Sequence, residues 1–515
     1  MRQTDRLIIN VLSNYGLTVV AGIASLIVVP IVVNELTQTG YGLAMMLLAT
    51  VTVTTTLGNA VNRALQRYLP QDLESSDMER VNGTFNSAMA MYGLVGVFGA
   101  VTMLFLRSWY LDDPGITAEL RADGNAAFLI IALLMLVEGP LLVFQAGLES
   151  IQRFDLVGGY TGAATVLRMF VIIAFFKLGA GSIFVFVLTH MLALIAASLV
   201  FSKSLKRAIP RLEISFRHIR RSRLKLLCVF ASAGLFMTLG NVLGQEGFRV
   251  LIGKGLSLAD VGGLSAVWAF RSMVVMVICS MTNVLTPTAS SLEARGSTES
   301  LGKLLVASTK YSSVAAASMC LVPLAAFGPF LRLWLGEEFS SLATLLVLIM
   351  LAQLPIAASL SAQQMLIGLG RLRITSPAVF ARGAGSLVAA GLYIYCSSNP
   401  TLTGAAVCLY ATQILCSLVV FVHGSREMGV GFRRLILEGL TLPVALGAAA
   451  AILTWVVSSR IGTGSWLRLV GVVGIGEVSF LGLIIVLGLG VEERAHLGSF
   501  FSRVKGRFMP NVSRG

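Results

Sequence analysis

The feature that most constrains this chain is a series of long apolar runs along almost its entire length. A helix needs about 20 apolar residues to cross the hydrocarbon core of a bilayer. Fourteen runs of this size are separated by charged residues or by Gly, Pro and Asn. They lie at 10–33, 41–63, 81–106, 124–148, 156–176, 182–202, 226–250, 261–287, 304–330, 341–367, 374–396, 403–422, 439–458 and 466–490. The runs predict an all-α integral membrane protein with about fourteen transmembrane helices.

The composition agrees with this prediction. Charged residues make up 12% of the chain and hydrophobic residues 56%, whereas a soluble domain has about 25% charged residues. The first run is too long for the apolar core of a signal peptide and is predicted to be the first transmembrane helix. The six Cys are scattered and are interpreted as small core residues.

The distribution of basic residues orients the helices. With the N-terminus inside, and with Arg63 and Arg468 at the ends of their runs counted with the adjacent loops, 27 of the 39 Lys and Arg fall in cytoplasmic segments, 7 in outer loops and 5 within predicted helices. Such a bias in short loops is a strong positive-inside signal, so both termini are predicted to be cytoplasmic. The net charge of +14 is then explained by topology and by anionic membrane lipids, and a nucleic-acid partner is disfavoured.

A basic linker divides the chain into two related halves. Residues 203–225 contain nine Lys or Arg. Segment 34–42 is similar to segment 254–263, and Glu74 corresponds to Glu293, at separations of 219 to 221 residues. Six helices in each half imply a parallel repeat about an axis normal to the membrane. The predicted domains are a six-helix lobe (1–202), the linker (203–225), a second six-helix lobe (226–424), and two further helices with a basic cytoplasmic tail (425–515).

Polar side chains recur at helical spacing in the first two helices of each half. Interhelical hydrogen bonds use the same residue types. Their presence on all four repeat-equivalent helices instead favours a water-filled cavity between the repeats, where transporters bind their substrates. The residues predicted to line it are Asn14, Thr55, Asn59, Asn62, Asn241 and Gln245.

Ionisable residues inside transmembrane helices are costly and are therefore candidates for function. Arg168, Arg249 and Arg271 are predicted to contact the substrate. Glu138 and Glu246 are predicted to serve ion coupling or a structural ion pair. Glu246 and Arg249 lie near the outer end of the seventh helix and are predicted to form a solvated local pair. Glu138 and Arg168 lie at matching depths, about 15 and 18 Å from the inner helix ends, and are predicted to pair.

His190 lies in an apolar run and is interpreted as a hydrogen-bonded core residue rather than a ligand. No nucleotide-binding, zinc-protease or Cys–His metal motif occurs in the sequence. The longest outer loop, of about seventeen residues (107–123), is too short to hold a catalytic domain. We therefore expect no enzyme activity and no cofactor.

Four motifs resemble those of bacterial polysaccharide flippases. They are "LIGKGLSLADVGGLSAVWAFRSM" (251–273), "LWLGEEF" (333–339), the Tyr-Gly at 41–42 and "LGNAVNR" (57–63). Together they resemble the O-antigen and exopolysaccharide exporters of the multidrug/oligosaccharidyl-lipid/polysaccharide (MOP) transporter superfamily, over roughly residues 1–430.

This resemblance implies two six-helix bundles around a V-shaped cationic cavity in the bacterial inner membrane. It implies a lipid-linked oligosaccharide as substrate, carried on undecaprenyl pyrophosphate and flipped by alternating access, with polymerase or export machinery as a further partner. Arg271 is then expected to contact the pyrophosphate. The chain departs from the family pattern at Phe248, where members often carry an acid, so an ion-coupling role at that position is in doubt.

Three alternatives stay open on the sequence. A drug or metabolite antiporter of the same superfamily usually has twelve helices, and some carry an Asp in the first helix that this chain lacks. A membrane-embedded polysaccharide polymerase or glycosyltransferase would need larger outer loops than those found here. A scaffold without transport activity is a third alternative.

Overall fold

A computed structural model describes residues 3–112, 115–490 and 493–494, without the side chains of residues 3–21, 23, 25, 233 and 234. The described residues are helical apart from short connections, and they contain no strand. In chain order the helices are α1 (Gln3–Glu74), α2 (Met78–Leu111), α3 (Ala118–Ser150), α4 (Phe154–Lys177), α5 (Ile183–Ala208), α6 (Arg221–Val242), α7 (Phe248–Gly255), α8 (Leu258–Asn283), α9 (Leu285–Ala294), α10 (Thr298–Cys320), α11 (Phe327–Leu335), α12 (Ala343–Gly368), α13 (Leu372–Cys396), α14 (Leu402–Glu427), α15 (Phe432–Ile436), α16 (Leu442–Ile461) and α17 (Trp466–Leu483).

Within the described residues, twelve helical stretches are long and apolar enough to cross a membrane. A thirteenth is the pair Arg221–Ser232 and Leu235–Gly255, which is bent by 54°. Helix α1 is interrupted at Thr37, whose φ of 64° and ψ of 167° are not helical. A positive φ is strained for a β-branched residue, and here it separates the predicted runs 10–33 and 41–63. Helix α1 therefore contains two of the predicted helices. Together with the bent pair and the other eleven stretches, they account for the fourteen predicted helices.

The chain forms two compact units. One comprises Met1–Met276 with Arg371–Val420, and the other Val277–Gly370 with Phe421–Gly515. Helix α13 belongs to the first unit because it packs against α6, so closely that a Cβ on Gly383 would lie 1.6 Å from the Gly240 carbonyl oxygen. The predicted domain boundaries, which follow the sequence repeat, stay a prediction.

In the first unit, α2, α3 and α5 pack around a core that includes Phe85, Phe144 and Leu205. Two glycines bring α2 and α3 together, because a Cβ on Gly139 would lie 2.8 Å from the Cα of Gly96. The close approach fixes the depth and the face at which the neighbouring polar residues of α3 meet α2.

The two similar segments of the repeat also contact each other in this unit. A Cβ on Gly42 would lie 1.9 Å from the Leu258 carbonyl oxygen, and one on Gly262 would lie 2.1 Å from the Gln38 carbonyl oxygen. Gln38 also donates from Nε2 to the Ala259 carbonyl at 2.8 Å. Gly262 lies 220 residues after Gly42, and Leu258 lies 220 residues after Gln38, so the two contacts are equivalent. The pair of contacts therefore has local two-fold pseudosymmetry, which supports the predicted repeat.

The basic linker is fastened to α2 rather than freely solvated. Asn82 Oδ1 accepts from the Glu213 backbone N–H at 3.0 Å, and Asn86 Oδ1 accepts from that of Ser215 at 2.9 Å. Arg223 pairs with Asp72 of α1 at 3.1 Å. Two buried asparagines thus supply the hydrogen bonds that an irregular backbone segment needs.

The predicted outer loop 107–123 is shorter in the structure, because helices α2 and α3 extend into it. Helix α2 continues to Leu111, and Thr117 caps α3 by accepting from the Leu120 backbone N–H at 3.3 Å. Asp123 accepts from the Ile183 and Phe184 backbone N–H groups at 2.6 and 3.2 Å. The acid therefore caps the N-terminus of α5, where a negative charge is favourable.

The second unit contains the C-terminal helices. Helix α16 packs against both α10 and α17. Glu477 of α17 accepts from the Ser318 hydroxyl at 2.8 Å. Lys310 pairs with Glu493 at 2.6 Å and thereby ties α10 to the end of the described chain.

Candidate functional site

An amide network surrounds Glu149 near the end of α3. Its carboxylate accepts from Asn62 at 2.7 Å, Gln66 at 2.9 Å and Gln145 at 2.9 Å. Asn62 and Gln66 are one helical turn apart on α1, and Gln145 and Glu149 are one turn apart on α3. The polar spacing of the two helices thus becomes a ring of hydrogen-bonding groups between them.

A polar cavity of about 290 Å³ adjoins this network. We call it the Glu138 cavity. Helices α1, α2, α3 and α5 contribute its polar lining residues, Thr52, Thr55, Asn59, Asn62, Tyr92, Glu138, Gln145 and His190. The structure therefore brings the predicted residues Thr55, Asn59 and Asn62 together around Glu138.

The predicted ion pair between Glu138 and Arg168 is not formed. Glu138 is only 3% exposed, and its Oε1 has no hydrogen-bond partner. The Arg168 guanidinium instead contacts Nδ1 of His190. Matching depth brings two side chains together only when their helices turn the right faces to each other, and here His190 occupies the position facing Arg168.

A second cavity, of about 260 Å³, lies on the other side of His190 and is called the arginine cavity here. Arg168 of α4 and Arg249 of α7 both line it. The remaining polar and aromatic lining residues are Tyr41, Thr165, Phe186, His190, Ser265, Trp268 and Ser272. His190 is thus shared by the two cavities, and two predicted arginines meet in one of them.

Arg249 forms the predicted local pair with Glu246, at 2.5 Å. The pair is buried rather than solvated, with side-chain exposures of 18% and 6%. Glu246 lies in a π-helical turn, Leu243–Gly247, directly before α7. The Arg249 guanidinium also lies 5.1 Å from the Trp268 ring centroid, within cation–π range, and its buried Nε has no hydrogen-bond partner.

Arg271 does not line the arginine cavity. Its guanidinium lies 5.9 Å from the ring centroids of both Trp268 and Tyr410. Trp268 Nε1 donates to the Tyr410 hydroxyl at 3.0 Å, which holds the two rings together. The Nε of Arg271 is buried and lacks a hydrogen-bond partner. The expected contact between Arg271 and a substrate stays a prediction.

The remaining predicted residues lie elsewhere. Asn241 accepts from Arg382 Nη2 at 3.1 Å and lines neither cavity. Gln245 is exposed on the π-helical turn and also lines neither cavity. Asn14 lies outside the described side chains.

Sequence reasoning missed three residues that connect the predicted ones. The apolar run around His190 indicates a core residue, yet it is the histidine that both cavities share. Trp268 lies within cation–π range of two arginines, and Tyr410 completes the surroundings of Arg271. The available signal was an ionisable residue inside an apolar run, which is itself a reason to suspect function.

The electrostatic balance of this region is positive. Arg249 and Arg271 lie within cation–π range of Trp268, Arg168 contacts His190, and Glu246 neutralises Arg249. Two buried guanidinium Nε groups remain as hydrogen-bond donors without partners. Such an arrangement suits an anion with several oxygen acceptors. In the described part of the chain, no group of three or more His, Cys, Asp or Glu could hold a metal ion.

The fold and these cavities can be compared with known proteins. A family model described as "Polysaccharide biosynthesis protein" matches residues 7–293. No curated protein is significantly similar in sequence. The structure is similar to that of the lipid II flippase MurJ in an inward closed conformation, with a TM-score of 0.71 and 11% identity, covering 93% of this chain and 98% of that one.

Two further solved structures share the fold. One is an inward-facing multidrug resistance MATE family transporter of the MOP superfamily, with a TM-score of 0.61 and 14% identity over 80% of this chain and 94% of that one. The other is a MOP superfamily transporter from Pyrococcus furiosus, described as having a binding pocket of reverse polarity. Its TM-score is 0.52 at 13% identity, over 82% of this chain and 95% of that one.

The family match covers more than half of the chain, and the all-α membrane fold extends over nearly all of it. The family match and the shared fold agree with the resemblance seen in the sequence motifs and with the expectation that the chain is not an enzyme. This chain belongs to the polysaccharide biosynthesis protein family and has the MOP-superfamily fold shared by MurJ and the MATE transporters.

Proposed function

We propose that this protein is a flippase for undecaprenyl-pyrophosphate-linked oligosaccharide. It would move the lipid-linked sugar from the cytoplasmic to the periplasmic leaflet of a bacterial inner membrane by alternating access, for the synthesis of O-antigen, lipopolysaccharide or exopolysaccharide. The family and the fold support a transporter in polysaccharide biosynthesis. Both termini would be cytoplasmic, and the polysaccharide polymerase or export machinery would receive the product.

The observation that carries the proposal is the pair of arginines in the arginine cavity. Arg168 and Arg249 enter it from different helices, and Arg249 presents a buried donor without a partner. A pyrophosphate has several oxygen acceptors and two negative charges, so it can bind both guanidinium groups through charge-assisted hydrogen bonds. The same positive balance opposes the binding of an organic cation, which disfavours a cationic drug as cargo.

The amide network supplies groups suited to a sugar. Asn62, Gln66 and Gln145 offer amide donors and acceptors, and Glu149 offers carboxylate acceptors. Hydroxyl groups of a carbohydrate both donate and accept, so they can exchange with the hydrogen bonds that these side chains make to each other. The polymerase and glycosyltransferase alternative has no comparable support, because the connection between α2 and α3 leaves no room for a catalytic domain.

The test measures binding and translocation of an undecaprenyl-pyrophosphate-linked oligosaccharide by purified protein in liposomes. Arg168→Gln removes one phosphate ligand and should weaken binding about 10- to 100-fold, the equivalent of one charged hydrogen bond. Arg168→Lys should lose less, because it keeps the charge without the planar fork.

The matched control is Arg153→Gln. Arg153 is an exposed arginine that pairs with Asp155 outside both cavities, so its loss should leave binding unchanged. Unchanged binding by a folded Arg168→Gln variant would contradict the proposal. Preferential binding of an organic cation would instead favour the antiporter.

A further inference from the structure

We propose that Glu138 is a proton-binding site whose occupancy is coupled, through His190, to the anion bound by Arg168. The identity of that anion rests on the proposed function. The proton site itself rests on the geometry of the Glu138 cavity, so the two can fail separately.

The surroundings of Glu138 favour a neutral carboxylic acid. The side chain is almost fully buried, and its Oε1 is unpartnered although the residue lines a polar cavity. The titratable groups facing this cavity are Tyr92 from α2 and His190 from α5, and α1 contributes only uncharged polar groups. No cation therefore compensates a charge on Glu138, and an ionised carboxylate would have to be stabilised by water entering the cavity.

His190 links this carboxyl to the arginine cavity. A guanidinium has only donors, so the contact from Arg168 requires His190 Nδ1 to be an acceptor. His190 is accordingly neutral, with its proton on Nε2. Protonation of Nδ1 would turn it into a second donor, and that form is incompatible with the Arg168 contact.

Binding of an anion to Arg168 affects both His190 and Glu138. An anion that takes the donors of Arg168 frees His190 Nδ1 to accept a proton, and the ring can then pass the proton of Nε2 to Glu138 and return to its neutral form. Its negative charge also disfavours a second negative charge on Glu138. Anion binding and proton uptake therefore favour each other, and by linkage the effect is reciprocal. Release of the anion into water would restore the Arg168–His190 contact and allow the proton to leave.

The first experiment needs no substrate. Infrared difference spectra of the full chain in lipid nanodiscs are recorded from about pH 4 to about pH 9, the range that covers exposed and buried carboxyls. The carbonyl stretch of a protonated carboxylic acid should titrate in the wild type and be lost in Glu138→Gln. Glu477→Gln removes another carboxyl from a membrane-spanning helix, outside the Glu138 cavity, and should leave that band in place. A Glu138→Gln spectrum identical to the wild type would overturn the proton site.

The second experiment tests the coupling. The probe is undecaprenyl pyrophosphate carrying one sugar, because each phosphate group then has a single strongly acidic hydroxyl whose ionisation is constant over this range. Binding by the wild type should tighten as the pH falls, by at most about tenfold per pH unit for one linked proton. Glu138→Gln mimics the protonated acid and should show a weaker pH dependence.

The variant His190→Gln distinguishes the coupling through His190 from proton binding at Glu138. It should retain the carboxylic band of Glu138 while its binding depends less on pH than that of the wild type. A titrating band with pH-independent binding in the wild type would overturn the coupling. A titrating band without binding at any pH would overturn the proposed pyrophosphate substrate and leave the proton site standing.

Discussion

The reciprocal glycine contact predicts a large and specific effect of one added methyl group. In Gly42→Ala the new Cβ would lie 1.9 Å from the Leu258 carbonyl oxygen, whereas a close carbon–oxygen contact is about 3.3 Å. The two backbones would have to separate by about 1.4 Å. The new Cβ is fixed to the backbone and its partner is a backbone atom, so no side chain can rotate away. We expect a destabilisation of about 3 kcal/mol, the upper end of the overpacking range.

The assay is equilibrium unfolding of the purified protein in mixed micelles, with Gly159→Ala as the matched control. Gly159 is inside helix α4, and apart from the backbone of its own helix and its chain neighbours no atom lies within 4 Å of the position that an added methyl group would take. Alanine there should stabilise the helix by about 0.5–1 kcal/mol.

The symmetric partner gives a second check. Gly262→Ala alone should resemble Gly42→Ala, but the double variant should be less destabilised than the sum of the two, since one separation relieves both clashes. If Gly42→Ala unfolded at the same denaturant concentration as Gly159→Ala, the close approach of these segments would be refuted.

Three further predictions follow from individual contacts. Glu149→Ala removes the acceptor that three amide groups share and should cost about 1–3 kcal/mol of stability, with Glu149→Gln costing less, measured in the same unfolding assay. Asp123→Ala removes the carboxylate that accepts from two backbone N–H groups of α5, beside the N-cap Ser182, and should cost about 0.5–2 kcal/mol. Asp123→Asn should retain most of the stability, and equal losses would argue against a capping role. Reporter fusions at Ser215 and at the C-terminus should both report a cytoplasmic location, and a periplasmic signal at either would contradict the orientation derived from the basic residues.

The two cavities offer different chemical groups to a bound molecule. The arginine cavity provides donors and positive charge, and the Glu138 cavity provides amides, hydroxyls and one carboxyl. His190 is the residue through which a change in one can alter the other. His190 is neutral because its Nδ1 accepts from Arg168. This contact joins α4 and α5, so the proposed coupling depends on how the two helices pack.

Within the candidate site, sequence reasoning identified residue types better than partners. Arg249 and Glu246 were correctly paired because they are three residues apart on one helical stretch, where spacing alone brings side chains together. Glu138 and Arg168 were wrongly paired because depth was the only quantity available for residues on different helices. Depth follows from counting residues, whereas the rotation of each helix about its axis depends on which faces pack together.

The sequence by itself determined the membrane-spanning helices, because a bilayer of fixed thickness requires apolar runs of a set length and leaves no other way to satisfy the backbone. It also indicated the repeat, since segment 34–42, which ends at Gly42, is similar to segment 254–263, which contains Gly262. Only the tertiary structure decided that these glycines touch each other's segments, that Trp268 lies close to two arginines, and that His190 faces both cavities. The physical reason is that such contacts join residues far apart in the chain, whose relative positions are set by the packing of whole helices and not by any local pattern.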